Sequence, residues 1–194
     1  MIKKLCAIIL FAILAFGVTG CIVPAVFVAG TGAGGAIVSD KRSMKTMMQD
    51  RDMANEALKR ISANPALKQG THIAIAGFDH VMLMVGQAST DELLMTAYNL
   101  VRTVPNVKRI YNEVTIEPPT SARVQANDGW ITTKVKSAML MEKGLYSGQV
   151  KVVTENGVVY LMGIVTPKQS DLAAAAASKV SGVKKVVKIF EYEQ

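Results

Sequence analysis

The 194 residues are 50% hydrophobic and 19% charged, with a net charge of +7 and 6% aromatic residues. That apolar share is ample for a core and excludes a disordered polyelectrolyte; only two cysteines, Cys6 and Cys21, exclude a disulfide scaffold and a cysteine-based metal site. The basic balance suggests anionic partners, and basic runs no longer than two residues with few aromatics argue against nucleic acid.

At the start, Met1-Ile2-Lys3-Lys4 precedes an apolar run from Leu5 to Phe16. These are the charged and apolar parts of a secretory signal. The signal ends in Val18-Thr19-Gly20-Cys21, which resembles the lipobox of bacterial lipoproteins. Small residues there admit a peptidase to the backbone, and the thiol is the nucleophile for acylation. Residues 1–20 are therefore expected to be removed, leaving Cys21 with covalent diacylglyceryl and N-acyl lipid and no other cofactor. Ile22 follows where inner-membrane lipoproteins typically carry Asp, which favours the outer membrane and its periplasmic face.

The apolar character continues to Val28, but Pro24 and many glycines make the run a poor continuous span. Gly30-Thr31-Gly32-Ala33-Gly34-Gly35 fits the G-x-G-x-x-G pattern. That pattern binds a dinucleotide only between a strand and a helix. Beside a lipid anchor it reads as part of a Gly-rich tether over 21–49.

The remainder is a duplication. Val81-Met82-Leu83-Met84-Val85-Gly86 overlays Val158-Val159-Tyr160-Leu161-Met162-Gly163 at an offset of 77. The same offset carries Leu58 onto Val135, and the copies span 50–116 and 128–194. Each opens with a helix, whose apolar face is Ala54, Leu58 and Ile61 in the first and Ile131, Val135 and Ala138 in the second. Two strands follow, joined by Gly77-Phe78-Asp79-His80 in one copy and Thr154-Glu155-Asn156-Gly157 in the other. Asn-Gly between apolar runs is a strong hairpin signal.

A second helix is opened by Ser89-Thr90-Asp91-Glu92 in the first copy. In the second, Thr166 caps it and Pro167 takes the first helical position. The adjacent carboxylates Asp91 and Glu92 suit the positive end of a helix better than acid–base chemistry. A last strand runs over 110–116 or 186–192, and 117–127, with Pro118 and Pro119, is a stiff linker. The expected fold is α+β: two tandem units, each helix-strand-strand-helix-strand, with two helices on one face of a three-stranded mixed sheet. Units this small are marginal alone, so the two are expected to pack together or to rely on the tether.

Lipobox, tether and two such repeats resemble the dual BON-domain outer-membrane lipoproteins of the DolP type. The segments that carry the likeness are Asn127 to Val135, Val153 to Gly163 and Val180 to Lys184. The resemblance implies two BON domains, no enzymatic activity, and an anionic phospholipid membrane as partner. It implies support of envelope integrity, at the division site in some relatives. It also places lipid contact on the first helix of the second domain, here Trp130, Ile131, Lys134 and Val135, with Lys136, Ser137 and Leu140 following. At the offset of 77, Met53 stands where the second copy has Trp130.

Charge agrees with a division of labour. The first copy has 7 basic and 7 acidic residues, the second 9 and 6. On a helical wheel Trp130, Lys134, Ser137 and Met141 share one stripe, and tryptophan beside lysine is membrane-interface chemistry. Trp130 could equally cap the core or fill the seam between domains. Lys184, Lys185 and Lys188 either extend the basic face or form a solvated edge.

His72 and His80 lack the spacing and partners of a metal site, and Met44, Met47, Met48 and Met53 read as packing residues. No nucleophile–base set or phosphate-binding loop appears. The rival to lipid binding is a periplasmic protein–protein adaptor for an envelope assembly factor or a cell-wall hydrolase regulator. Its docking surface would be Trp130 and the methionines.

Overall fold

The computed structural model describes residues 40–193. The expected signal peptide, the expected lipidation site Cys21 and the expected tether as far as residue 39 lie outside the described residues. The described chain belongs to one compact unit, Ala36–Gln194.

Helix α1 (Met44–Ala63) begins inside the segment read as tether, with Ser43 as its N-cap. Strands β1 (Thr71–Phe78) and β2 (Val81–Ala88) form an antiparallel hairpin. Helix α2 (Asp91–Val101) is capped by the Thr90 side chain. It returns the chain so that β3 (Arg109–Ile116) pairs with β2 in parallel. The second copy repeats the order: α3 (Ala122–Met141), β4 (Val150–Glu155), β5 (Val158–Val165), α4 (Pro167–Ser178) and β6 (Lys185–Tyr192). Its sheet order is likewise β4-β5-β6, with one antiparallel and one parallel pair. The expected α+β architecture is therefore present, with two mixed three-stranded sheets. The segment 117–127 is only half a linker, because Ser121 caps α3 and the helix runs from Ala122.

The helix registers correct the sequence reading. The buried face of α1 is Asp50, Met53, Ala57 and Ile61, and that of α3 is Asp128, Ile131, Val135 and Met139. These match at an offset of 78, while the hairpins keep 77. The loop between first helix and first strand thus differs by one residue between the copies. Leu58, at 37% exposure, is not in the core, and the residue opposite Trp130 is Asp52 rather than Met53.

Every residue of β2 is buried. Strand residues alternate between faces, so full burial means both faces are covered. Met82 and Met84 pack under α1 and α2, in a cluster with Met53, Ala57, Ala97 and Val101. Val81, Leu83 and Val85 point the other way and meet Tyr160, Met162 and Ile189 of the second copy. The sheets therefore pack against each other and the helices lie outside, which settles how two marginal units are stabilised. Polar contacts seal the seam. Gln87 Nε2 donates to Glu155 Oε1 at 2.8 Å, and Gln87 Oε1 accepts from both the N–H and the hydroxyl of Thr120. Lys151 Nζ donates to the Gly77 carbonyl at 2.8 Å. Burial and the nearby Arg42 guanidinium hold the Lys151 pKa below the usual lysine range.

Candidate functional site

Helix α3 is held from beneath. Ile131, Val135 and Met139, each at most 1% exposed, insert into the second core. At its start, buried Asp128 accepts the backbone N–H groups of Asn156 at 2.7 Å and Gly157 at 2.8 Å. Those two residues have φ of 47° and 77°, the conformation of a two-residue hairpin turn. The first copy repeats the device, with Asp50 accepting from Asp79 and His80 at 2.8 Å each. Each hairpin is thereby bolted to the first helix of its own domain. This clamping role of the two aspartates was not read from the sequence.

The outward face of α3 carries large apolar side chains among its polar ones. Trp130 is 62% exposed, Leu140 76% and Met141 84%. Trp130 therefore neither caps the core nor fills the seam between domains. Arg123, Ser137 and Met141 lie within about 20° of Trp130 on the wheel, at 100° per residue. Lys134, about 40° away, sends its Nζ to the Ser181 carbonyl at 2.5 Å, bracing the helix on the loop before β6. Lys136 lies on the opposite flank, where its charge helps to depress the pKa of Lys151. The only acidic side chain of the helix is the buried Asp128.

The expected site thus divides. Trp130, Lys136, Ser137 and Leu140 are exposed and Lys134 is half-buried. Ile131 and Val135 are core residues at 1% and 0% exposure and cannot touch a surface ligand. They remain essential as the apolar underside that fixes the helix. Sequence reasoning missed Arg123, which falls in the segment read as linker, and undervalued Met141. Lys188 is engaged by Asp171 at 2.7 Å, so it is an ordinary solvated edge residue. His72 Nε2 stands 3.7 Å from Glu155 Oε2, and no cluster able to hold a metal ion occurs among the described residues.

Comparison with known proteins adds an independent line. The family model described as "BON domain" matches residues 49–118 and 127–194. The chain is 34% identical over 173 residues to "Outer membrane lipoprotein DolP" of Haemophilus influenzae, covering 89% of each chain. It is 35% identical over 155 residues to the "21 kDa hemolysin" of Actinobacillus pleuropneumoniae, covering 80% of each. Among solved structures, the C-terminal domain of CdsD of the type III secretion system of Chlamydia trachomatis gives a TM-score of 0.29 at 15% identity. That likeness spans 75% of this chain and 67% of that one.

Proposed function

The chain belongs to the BON-domain family, in the dual-domain line of DolP-type outer-membrane lipoproteins, and from that premise we propose that it reads anionic phospholipid with the outward face of α3. The carrying observation is that face itself. A tryptophan, a leucine and a methionine, each more than 60% exposed, lie on a helix whose other charged surface residues are all cations. An exposed indole sits well at headgroup level, and the lysine and arginine stems cover apolar surface while their charges reach phosphate. Each cation near an anionic bilayer contributes about 1 kcal/mol, within a Debye length.

Acyl chains on Cys21 would hold the protein at the periplasmic face of the outer membrane. The α3 contact then orients the domains and selects a lipid rather than providing retention. The role is binding, not catalysis, and it serves envelope integrity through where and how the domains sit on the bilayer.

The test is vesicle co-sedimentation of residues 36–194, the compact unit, with its fold checked by circular dichroism. Phosphatidylglycerol vesicles should bring down the wild-type protein at low salt and less at moderate salt, whereas phosphatidylcholine vesicles should not. Trp130→Glu should lose at least tenfold in binding while keeping its fold. A folded wild-type protein that ignores both vesicle types would sink the lipid reading. The adaptor reading draws on Met44 and Met48, 71% and 63% exposed one turn apart on α1; a saturable protein partner indifferent to lipid would establish it.

A further inference from the structure

Beside α3, a cleft of about 370 Å³ opens between the helix and two glycine turns. Its walls include Arg123, Asn127, Asn156, Gly157, Gly182 and Lys184. The volume lies at the low end of the usual range for small-ligand sites, about 300–1,000 Å³. The Arg123 guanidinium makes no hydrogen bond or ion pair among the described residues. Lys184 Nζ donates only to the side-chain amide oxygen of Asn156, at 3.0 Å. The one carboxylate in the wall, Asp128, is 4% exposed, and both its oxygens are already occupied by the turn N–H groups.

The first copy shows what this place looks like when it is neutralised. Lys108 donates its backbone N–H to the His80 carbonyl as Lys184 does to that of Gly157, so the two lysines are equivalent. Lys108 Nζ, however, lies 3.5 Å from the Asp79 carboxylate, and Asp79 is the counterpart of Asn156. The two turn residues have φ of 46° and 47°, one backbone conformation carrying an acid in one copy and an amide in the other. The positions of Trp130 and Lys134 are held in the first copy by Asp52 and Glu56. Across five matched positions, the first copy sets Lys45 and Lys108 against Asp52, Glu56 and Asp79. The second presents Arg123, Lys134 and Lys184 with no acid. One backbone, then, carries opposite chemistry.

We propose that the cleft bounded by Arg123, Lys184 and Gly182 is the seat of the phosphodiester of an anionic phospholipid headgroup, beside the bilayer contact of Trp130. This rests on the lipid reading of α3 and adds a second, separable subsite to it. Charge-assisted hydrogen bonds from a guanidinium and an ammonium are the strong form of phosphate recognition. A choline headgroup carries its own cation into the same positive cleft and is disfavoured. The acyl part stays outside, against Trp130 and Met141.

The test is amide and indole NMR on residues 36–194, titrated separately with short-chain phosphatidylglycerol, short-chain phosphatidylcholine and inorganic phosphate. Phosphatidylglycerol should shift the amides of Gly157, Gly182 and Lys184 together with the Trp130 indole N–H. Phosphatidylcholine at the same concentration should leave the cleft amides unmoved and shift the indole only weakly. Asn156→Asp rebuilds the ion pair that the first copy already folds with, so it should keep the fold and the indole response. It should weaken the phosphatidylglycerol response of the cleft amides at least fivefold, as should Arg123→Gln with Lys184→Gln. An indole shift with silent cleft amides would overturn the subsite while leaving lipid contact standing. Silence of both would remove both. Equal cleft shifts with phosphatidylcholine would overturn the preference for an anionic headgroup. Equal shifts with inorganic phosphate would mean a site for free anions rather than for a headgroup.

Discussion

The two domains of this chain are one scaffold used twice, and they differ most where nothing structural depends on the difference. In both, an aspartate on the first helix clamps a two-residue turn, a parallel strand closes the sheet, and a threonine caps the second helix. On the outer face of that first helix, Asp52 and Glu56 stand in one domain and Trp130 and Lys134 in the other. Glu56 pairs with Arg60 one turn along its own helix at 2.8 Å, whereas Lys134 braces the neighbouring loop and Trp130 is left to solvent. Buried positions are constrained by packing and by unsatisfied N–H groups, so both copies keep them. Surface positions are free of both constraints, so chemistry there is set by what each face meets.

The comparison is broken most severely at the glycine of the central strand. A Cβ on Gly86 would lie 1.9 Å from the His72 carbonyl oxygen, at a φ of +127°. At the matched Gly163 it would lie 2.6 Å from the Gln149 carbonyl, without a positive φ. Gly86→Ala therefore meets both a backbone clash and a strained conformation, and should cost about 4 kcal/mol or prevent folding. Gly163→Ala should cost about 2 kcal/mol. Denaturant melts of the two variants check the order, and equal midpoints would mean the strands shift to make room in both.

The aspartate clamps come next. Replacing Asp128 with Ala strands two turn N–H groups and should cost about 2 kcal/mol. Asp50→Ala should cost about 1 kcal/mol more, because Asp50 also receives Arg42 Nη1 at 2.6 Å. Arg42 lies 3.7 Å over the Phe78 ring and would keep only Asp40 as an anionic partner. The turn in the first copy is Asp79-His80, with φ of 46° and 63°, where the second has the more favourable Asn156-Gly157. It therefore leans harder on its clamp. If Asp128→Ala proved the costlier variant, turn propensity would not be what separates the two hairpins.

Much of this was legible in the sequence because it rests on local chemistry. Thr166-Pro167 and Ser89-Thr90-Asp91 announce helix starts, and Asn156-Gly157 announces a hairpin, each within four residues. The one-residue slip between helix and strand offsets was not legible. Helix α1 offers two adjacent apolar faces, one through Ala54 and Leu58 and one through Met53 and Ala57, and core packing together with the clamp to the turn selects the second. The candidate site was half legible. Helical spacing already set Ile131 and Val135 on the core side and Trp130 on another stripe, yet the resemblance assigned all three to lipid contact, and burial withdraws the first two from it. The face-to-face packing of the sheets depends on contacts more than 70 residues apart, such as Lys151 to Gly77, which no local pattern encodes.

The smallest expected effect concerns the seam, where the domains are again unlike at matched positions. The first strand of the first copy ends in buried Phe78, that of the second in Glu155, which is 8% exposed. Burial pushes the Glu155 carboxyl up from the usual glutamate range, while the Gln87 amide and nearby His72 partly oppose this; Asp128 and Glu117 add to it. A raised pKa in the folded state means that the native protein holds this proton over a range where the unfolded chain has released it. Stability contributed by this group therefore falls as pH rises through that range, and the cost is fully present above it. Glu155→Gln keeps an acceptor for Gln87 Nε2 and removes the charge. It should raise neutral-pH stability by about 1 kcal/mol, with the gain shrinking as pH is lowered toward the unfolded glutamate pKa. Paired denaturant melts of both proteins from pH 4 to 8 measure that difference directly, and carboxylates elsewhere cancel from it. A difference that grew on acidification would mean that Glu155 is held charged by His72, and that the seam is an ion pair rather than a buried acid tolerated by an amide.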